Sequence, residues 1–283
     1  MRWSPGHRSP NVEDRRGSGG RMIRGAGGLG AGTLVILLVL SLIFKRDFLS
    51  LAGGGGTGAS PETASGPPAE TTPEEERLVL FVSFVLDDAQ QVWQQALPQQ
   101  GGSYRPATLV LFRDAVESAC GFAESATGPF YCPADEKVYI DLGFYEELQR
   151  RFGAPGDFAQ AYVLAHEIGH HVQNVLGTEA EVRRARTTRP DQANQLSVRL
   201  ELQADCYAGV WAHSTAQREL LHSGDVEEGL AAAAAVGDDR LQRMGGGRVV
   251  PESFTHGSSA ERQEWFRRGF ETGRVDACDT FRG

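Results

Sequence analysis

The feature that constrains this chain most is a long stretch without a single charge. Residues 25–44 contain no Asp, Glu, Lys or Arg, and residues 34–44 read LVILLVLSLIF. About 20 helical residues, each rising 1.5 Å, cover the hydrocarbon core of a bilayer. A buried core helix would need amphipathic flanks, and a cleaved signal peptide would need a small-x-small site after Phe44; the sequence shows neither. We therefore expect a transmembrane anchor over residues 25–46.

Positive charge is concentrated before this stretch. The arginines that precede it are Arg2, Arg8, Arg15, Arg16, Arg21 and Arg24. Only Lys45 and Arg46 follow it closely, so the positive-inside rule predicts a cytoplasmic tail over residues 1–24 and an extracytoplasmic domain. Residues 47–76 are rich in Gly, Pro, Ser, Thr and Glu, which predicts a flexible linker. The expected location is the cell membrane, as a single-pass protein whose folded domain spans residues 77–283.

Composition limits the classes of partner. Hydrophobic residues make up 40% and charged residues 23%, which is typical of a globular domain. The net charge of -9 offers no basic excess to release counterions from a phosphate backbone, so nucleic acid is not an expected partner. The sequence leaves the oligomeric state open.

The domain itself is predicted to be mostly helical with a small sheet. Hydrophobic spacing predicts helices at 74–95, 144–151, 157–175, 191–222, 225–243 and 258–271, and short strands at 108–112 and 137–142. Residues 138, 140 and 142 of the second strand are apolar and alternate with Tyr139 and Asp141. We expect an edge strand that binds extended substrate with its backbone, or alternatively a plain interior strand.

Four cysteines lie within this domain. Cys120 and Cys132 bracket a short loop with Gly and Pro, and Cys206 and Cys278 could tie the C-terminal tail to a central helix. Two disulfides are therefore expected in an oxidising compartment, with four buried free thiols as the alternative.

The most informative motif is His166-Glu167-Ile168-Gly169-His170 in the helix predicted at 157–175. Residues four apart share one helical face, so the two imidazoles can converge on one zinc ion. Glu167 then lies beside the metal, where it can take a proton from water. Two surface histidines that bind nothing are the alternative interpretation, and for the adjacent His171 a packing role is favoured.

A hydrolytic zinc site needs a third protein ligand. Glu201 and Asp205 are again four residues apart, among apolar neighbours that make buried charge costly. Glu201 as a zinc ligand and Asp205 as the acceptor that holds a histidine ring would explain both acids. Two solvated acids on an exposed face remain the alternative.

Several stretches of the chain resemble one bacterial family, the neutral zinc metallopeptidases, which are membrane-anchored and gluzincin-like. The matching stretches are residues 1–3, 11–17, 118–121, 128–133, 165–173, 201–206, 237–240 and 254–257. The resemblance implies an α+β, predominantly helical, zincin-like domain with a small sheet, preceded by one N-terminal transmembrane helix. It also implies one Zn²⁺ per chain, held by His166, His170 and Glu201, with Glu167 as general base.

The segment from His256 to Arg262 is similar to a His-Pro-x-x-x-x-Arg element of integral-membrane gluzincin peptidases, with Gly257 in place of the proline. By that analogy His256 donates a hydrogen bond to the developing oxyanion, and Arg262 steadies the carboxylates of the site. A helix N-cap region with a surface His and Arg is the alternative. Tyr207 is a second candidate for the oxyanion donor.

Two classes of function follow from these features. One is a zinc-dependent endopeptidase that hydrolyses extracytoplasmic protein or peptide substrates. The other is a non-catalytic, membrane-anchored module that keeps zinc as a structural or binding element. Glu167 favours the enzyme, because a purely structural zinc site does not need a base beside the metal.

Overall fold

The computed structural model describes residues 1–17, 71–125, 128–151, 153–154 and 156–282. The strands are β1 (Val12–Asp14), β2 (Thr108–Phe112), β3 (Ala115–Ser118), β4 (Gly121–Glu124), β5 (Phe130–Cys132) and β6 (Lys137–Asp141). The helices are α1 (Pro73–Ala96), α2 (Gly143–Arg150), α3 (Asp157–Leu176), α4 (Thr178–Thr188), α5 (Ala193–Gln217), α6 (Asp225–Ala235), α7 (Asp238–Met244) and α8 (Ser259–Thr272). Short 3-10 turns lie at Leu97–Gln100, Pro190–Gln192, Pro251–Ser253 and Val275–Cys278.

Local sequence signals explain where the helices start and break. α1 and α8 both begin with a capping box, in which Thr72 pairs with Glu75 and Ser258 with Glu261. The single helix expected over 225–243 is divided by Gly237 into α6 and α7. The other predicted helices are observed close to their expected positions.

The larger sheet has the strand order β1-β2-β6-β5. β1 and β6 both run parallel to β2, whereas β5 pairs antiparallel with β6. β3 and β4 form a separate two-stranded hairpin. In the described residues β5 therefore forms one edge of the four-stranded sheet.

Both faces of the central strands are buried. Leu109, Leu111, Val138 and Ile140 face the main core with α1 and α3. The alternate residues of the same two strands, among them Tyr139, form a second small core with Val116 of the hairpin. Helices thus cover one face of the sheet, and the hairpin covers the other.

The edge-strand interpretation of residues 137–142 is wrong. β6 lies between β2 and β5, and Tyr139 pairs with Val110 on one side and Phe130 on the other. Its backbone groups are taken by neighbouring strands, so it cannot pair with a substrate.

Residues 1–17 belong to the same folded unit as the helices. β1 pairs with β2, and the Trp3 ring centroid lies 5.2 Å from that of Phe81 on α1. The Arg16 side chain is only 4% exposed and lies 2.7–3.5 Å from carboxylate oxygens of Asp14, Glu75 and Glu76. The predicted location, with the N-terminus and the domain on opposite sides of a membrane, is therefore wrong. β1 and β2 share backbone hydrogen bonds, so the N-terminal residues and the domain lie on the same side of any membrane.

The membrane-spanning part of the predicted fold class is also corrected. Throughout the part of the chain that the structure describes, no helix is both long and apolar enough to cross a membrane. What is observed is a predominantly helical α+β fold with two small sheets. The anchor predicted for residues 25–46 lies outside the described residues, as does most of the predicted linker.

The most extensive contact between elements in the described residues joins α5 and α8. The two helices cross at glycines, because a Cβ added to Gly269 would lie 1.9 Å from the carbonyl oxygen of Cys206. A Cβ added to Gly209 would meet the backbone of α8 in the same way. This close crossing brings the first turn of α8 against the middle of α5, where the candidate site lies.

Candidate metal centre

α3 carries His166, Glu167 and His170 into the middle of the domain. Both His166 and Glu167 are buried there, with only 6% and 7% of their surface exposed. α5 comes unusually close here, since a Cβ added to Gly169 would lie 2.9 Å from the carbonyl oxygen of Ala204. The glycine inside the motif therefore permits the approach of the helix that carries Glu201 and Asp205.

Three possible ligand groups converge between these two helices. Nε2 of His166 lies 3.2 Å from one carboxylate oxygen of Glu201, and Nε2 of His170 lies 3.4 Å from the other. One ligand atom from each residue lies within 4.8 Å of the others. The structure thus brings together the three residues that the sequence singled out as ligands.

The opposite ring nitrogens are already engaged. Nδ1 of His166 lies 2.8 Å from Oδ1 of Asp205, and Nδ1 of His170 lies 2.8 Å from Oε1 of Gln173. If each Nδ1 carries the proton and donates it to its oxygen partner, each Nε2 presents a lone pair to the common point. This arrangement orients two imidazoles for coordination of one cation.

Asp205 is the hub of a buried polar network. Its carboxylate is fully buried and accepts hydrogen bonds from Arg262 Nε at 2.8 Å and Arg262 Nη2 at 2.9 Å. The Tyr162 hydroxyl also donates to Asp205. The paired guanidinium compensates the buried charge and leaves Asp205 able to hold the His166 ring.

The electrostatics of the cluster favour a cation. Burial opposes charge on His166, but the carboxylates of Asp205 and Glu201 outweigh it and raise the pKa of His166 to about 9. Burial likewise opposes charge on Glu201, yet the facing imidazoles hold its pKa well below the usual range. The carboxylates that favour a protonated ring here would equally favour a metal ion.

Glu167 has a different environment from Glu201. Burial raises the pKa of its carboxyl group above the ordinary value for glutamate, although the nearby His166 and His170 partly oppose this shift. A carboxylate with a raised pKa is a stronger base than one in water.

His256 lies in the loop before α8. Its side chain is 51% exposed, and Nδ1 faces Asp238. The hydrogen bond with Asp238 raises the pKa of His256, and Glu201 and Arg262 also act on it electrostatically. Gly257 has a φ of +89°, which proline cannot adopt, so the loop differs locally from a His-Pro element.

Tyr207 and His171 both lie away from the cluster of His166, His170 and Glu201. Tyr207 is buried, and its ring packs edge-on against Trp93 with 5.2 Å between centroids. It is two residues beyond Asp205 and therefore on another face of α5. His171 is fully buried, with Nδ1 2.9 Å from the Tyr131 hydroxyl and Nε2 2.6 Å from the Arg105 carbonyl oxygen. The structure thus does not bring Tyr207 to the centre, and it gives His171 a packing role.

Both expected disulfides are confirmed. Cys120 joins Cys132, and Cys206 joins Cys278, with Cα–Cα distances of 5.8 Å and 5.5 Å. The second disulfide lies close to the centre, because Gln203 donates to the Cys278 carbonyl oxygen at 3.1 Å and accepts from Gln173 at 3.1 Å. The C-terminal tail therefore supports the residue that holds His170.

Sequence reasoning did not identify Tyr162 or Gln173. Tyr162 precedes His166 by four residues, and Gln173 follows His170 by three, so both share a helical face with the histidine near which they lie. This spacing could have identified them as partners of the ligands.

A second cluster of acids, formed by Asp157, Asp225 and Glu228, also meets the geometric requirement for a metal. The amino group of Met1 lies 2.6 Å from Asp157 and 3.2 Å from Asp225, so two of these three acids already have a positively charged partner. The centre between α3 and α5 differs because it offers imidazole nitrogens.

Two imidazole nitrogens and a carboxylate are a donor set that zinc prefers. The Nδ1 atom of each ring is hydrogen-bonded to a neighbouring oxygen, as in known zinc sites. The residues present therefore fit a zinc ion. The fold and this centre together define a helical α+β protein with a candidate His/His/Glu metal site.

The chain belongs to the family described as "Putative neutral zinc metallopeptidase", whose model matches residues 1–281. It is 45% identical over 288 residues to "Uncharacterized protein YpfJ" of Escherichia coli (strain K12), covering 99% of each chain. It is also 47% identical over 201 residues to "Uncharacterized protein Rv2575" of Mycobacterium tuberculosis (strain ATCC 25618 / H37Rv), covering 67% of this chain and 66% of that protein. No solved structure matches the chain. The family implies a zinc-dependent hydrolase that acts on protein or peptide.

Proposed function

We propose that this protein is a gluzincin-like zinc endopeptidase that hydrolyses internal peptide bonds of protein or peptide substrates. His166, His170 and Glu201 are the proposed ligands, and Glu167 is the proposed general base. The observation that carries the proposal is the pair of Nε2 atoms facing Glu201 while Asp205 and Gln173 occupy both Nδ1 atoms.

Zinc, when bound, supplies a Lewis acid that polarises a carbonyl oxygen and acidifies water. The remaining chemistry belongs to the side chains. Glu167 takes a proton from the attacking water and delivers it to the leaving amine, a transfer for which its raised pKa suits it. His256 donates a hydrogen bond to the oxygen on which negative charge develops.

Arg262 supports this chemistry through its contacts with Asp205. It keeps Asp205 ionised and in place. Burial acts to raise the pKa of Asp205, but nearby positive charge, mainly that of Arg262, outweighs this effect and lowers the pKa. Asp205 in turn holds the His166 ring. Loss of Arg262 should therefore weaken metal binding without removing a ligand.

The test is a comparison of zinc content and peptide cleavage in the full chain. We expect His166→Ala, His170→Ala and Glu201→Ala to be poor in zinc and inactive. Glu167→Gln should keep its zinc and lose turnover by a factor of roughly 100 or more, because only the base is removed. His7→Ala, at an exposed histidine that contacts Asp87, is the control and should behave as the wild type.

Two results would contradict the proposal. Full zinc occupancy in Glu201→Ala would place the third ligand elsewhere. Zinc-loaded wild-type protein that cleaves no peptide would instead favour the non-catalytic module.

A further inference from the structure

The stretch Gly237-Asp238-Asp239-Arg240 matches the family but has no role in the chemistry described above. Asp238 begins α7, and its Oδ2 accepts hydrogen bonds from three consecutive backbone N–H groups. These belong to Thr255 at 2.7 Å, His256 at 2.6 Å and Gly257 at 3.1 Å. The backbone N–H of Asp238 donates back to the Gly257 carbonyl oxygen at 2.8 Å. One carboxylate thus holds the backbone of three consecutive loop residues.

The other oxygen of the same carboxylate faces a side chain. Oδ1 of Asp238 lies 3.3 Å from Nδ1 of His256, which also lies 3.0 Å from the Thr255 hydroxyl oxygen. Contacts at Nδ1 leave Nε2 on the opposite side of the ring. Asp238 therefore contacts both the loop backbone and the ring, the latter together with the Thr255 hydroxyl. We call the contacts of Asp238 with residues 255–257 the Asp238 clasp.

The next acid supports the neighbouring segment and does not touch the ring. Oδ1 of Asp239 accepts from the backbone N–H and from the hydroxyl of Ser259, both at 2.7 Å. Ser259 starts α8, which carries Arg262 to Asp205. Asp238 thus holds the His256 loop, and Asp239 holds the start of α8.

The Asp238 clasp matters because the His256 loop lies close to the metal centre. Gly257, the residue after His256, packs against α5 beside Glu201, because a Cβ added to it would lie 3.2 Å from the Leu202 side chain and 3.3 Å from that of Val198. Half of the His256 side chain is nevertheless exposed to solvent. An exposed ring would otherwise sample several rotamers, and a hydrogen-bond donor helps catalysis only when it is held in position.

We propose that Asp238 is a positioning residue that holds the His256 ring, with its Nε2 turned toward the substrate, beside the metal centre. This inference rests on the proposed function, because it assigns a purpose to the orientation of His256. Asp238 itself touches no reacting atom.

The experiment compares Asp238→Asn with Asp239→Asn in the zinc-loaded full chain. Asn at 238 keeps an oxygen for the backbone N–H groups but replaces the other oxygen by an NH₂ group, which cannot accept from Nδ1. Zinc content and thermal midpoint are measured first to show that both variants are folded. The chain has 7 histidines, so ring ¹⁵N resonances can be assigned one at a time, that of His256 by its loss in His256→Gln.

We expect the Nδ1 resonance of His256 to move in Asp238→Asn and to stay in place in Asp239→Asn. In peptide cleavage, Asp238→Asn should lower kcat roughly tenfold and change KM by less than about twofold, because a donor to the developing charge is misplaced. In the His256→Gln background the same substitution should change kcat by less than about twofold, since the ring on which it acts is gone.

An unmoved His256 resonance in Asp238→Asn would overturn the proposal, as would equal losses of kcat in both backgrounds. If the wild-type chain cleaves no peptide, the proposed function fails separately. The ring resonance would still decide the clasp in that case, because it is read without turnover.

Discussion

Asp205 is the residue on which the arrangement of the metal centre depends most. It is fully buried, holds His166 at 2.8 Å, and is neutralised by two hydrogen bonds from Arg262. A buried charge with such partners is stable only while all of them remain, because each loss leaves an uncompensated polar group.

Asp205→Ala tests this dependence, with Tyr162→Phe as the milder comparison. Removing Asp205 leaves Arg262 without its counter-charge, so the free energy of unfolding should fall by about 3–5 kcal/mol. Zinc affinity should fall about 10–100-fold, because His166 loses the group behind it. Tyr162→Phe removes a single hydroxyl donor and should cost about 1 kcal/mol.

Urea unfolding and zinc competition with a chelator measure both quantities. Asp276→Ala, at an exposed residue that pairs with Arg274, serves as the control. Equal effects of Asp205→Ala and Tyr162→Phe would show that the charge of Asp205 is not what matters.

At the scale of elements, the centre is assembled where α3 and α8 pack on α5. α3 brings the histidines, α5 brings the carboxylates and α8 brings Arg262. The crossing of α5 and α8 relies on Gly209 and Gly269, because any side chain there meets backbone atoms of the other helix. The spacing of helices, set by residues without side chains, thus determines whether Arg262 reaches Asp205.

Gly269→Ala should separate these two helices. The new Cβ would start 1.9 Å from the Cys206 carbonyl oxygen, and backbone cannot move away as a flexible side chain could. Overpacking of this kind typically costs about 1–3 kcal/mol, even though Ala favours a helix more than Gly does. We expect a lower thermal midpoint together with weaker zinc binding.

Gly245→Ala is the matched control, because its Cβ would have no neighbour closer than 3.5 Å. A stable Gly269→Ala variant with unchanged zinc affinity would show that the α5–α8 crossing does not control the centre.

At the scale of the whole molecule, both ends of the described chain are folded against the domain. β1 extends the sheet, and the Val275–Cys278 turn is linked by its disulfide to α5. Glu13 on β1 contacts Lys137 on β6 at 2.8 Å, across β2. Contacts between distant parts of the sequence therefore hold the fold together.

Stability should depend on pH through Glu13. Hydrogen bonds from Arg15 and then Lys137 lower the pKa of Glu13 to about 2, although its side chain is 41% exposed. A lowered pKa in the folded state means that the ion pairs stabilise above the unfolded pKa of about 4.5 and are lost as pH falls toward 2. The free energy of unfolding should therefore fall less steeply over this range in Glu13→Gln than in the wild type.

Urea unfolding at several pH values measures this difference, with Glu124→Gln on the exposed strand β4 as the control. Parallel curves for wild type and Glu13→Gln would show that Glu13 does not couple β1 to the sheet.

The two disulfides should contribute unequally. Cys206–Cys278 closes a sequence separation of 72 and Cys120–Cys132 one of 12, so chain entropy predicts roughly 4 and 3 kcal/mol respectively. The paired substitution of Cys206 and Cys278 by Ser should also weaken zinc binding, because the tail supports Gln203 and through it Gln173. Retained zinc affinity in this variant would show that the C-terminal tail does not support the metal centre.

The sequence by itself determined the features that depend on neighbours along the chain. Helical spacing places His166 and His170 on one face, and the same rule places Glu201 and Asp205 together. It also predicted most of the helices, the two central strands β2 and β6, and both cysteine pairs. Only the tertiary structure decided that β1 joins the sheet, that β6 is an interior strand and that Tyr207 faces Trp93. These outcomes depend on contacts between segments far apart in sequence, and hydropathy and spacing describe one segment at a time.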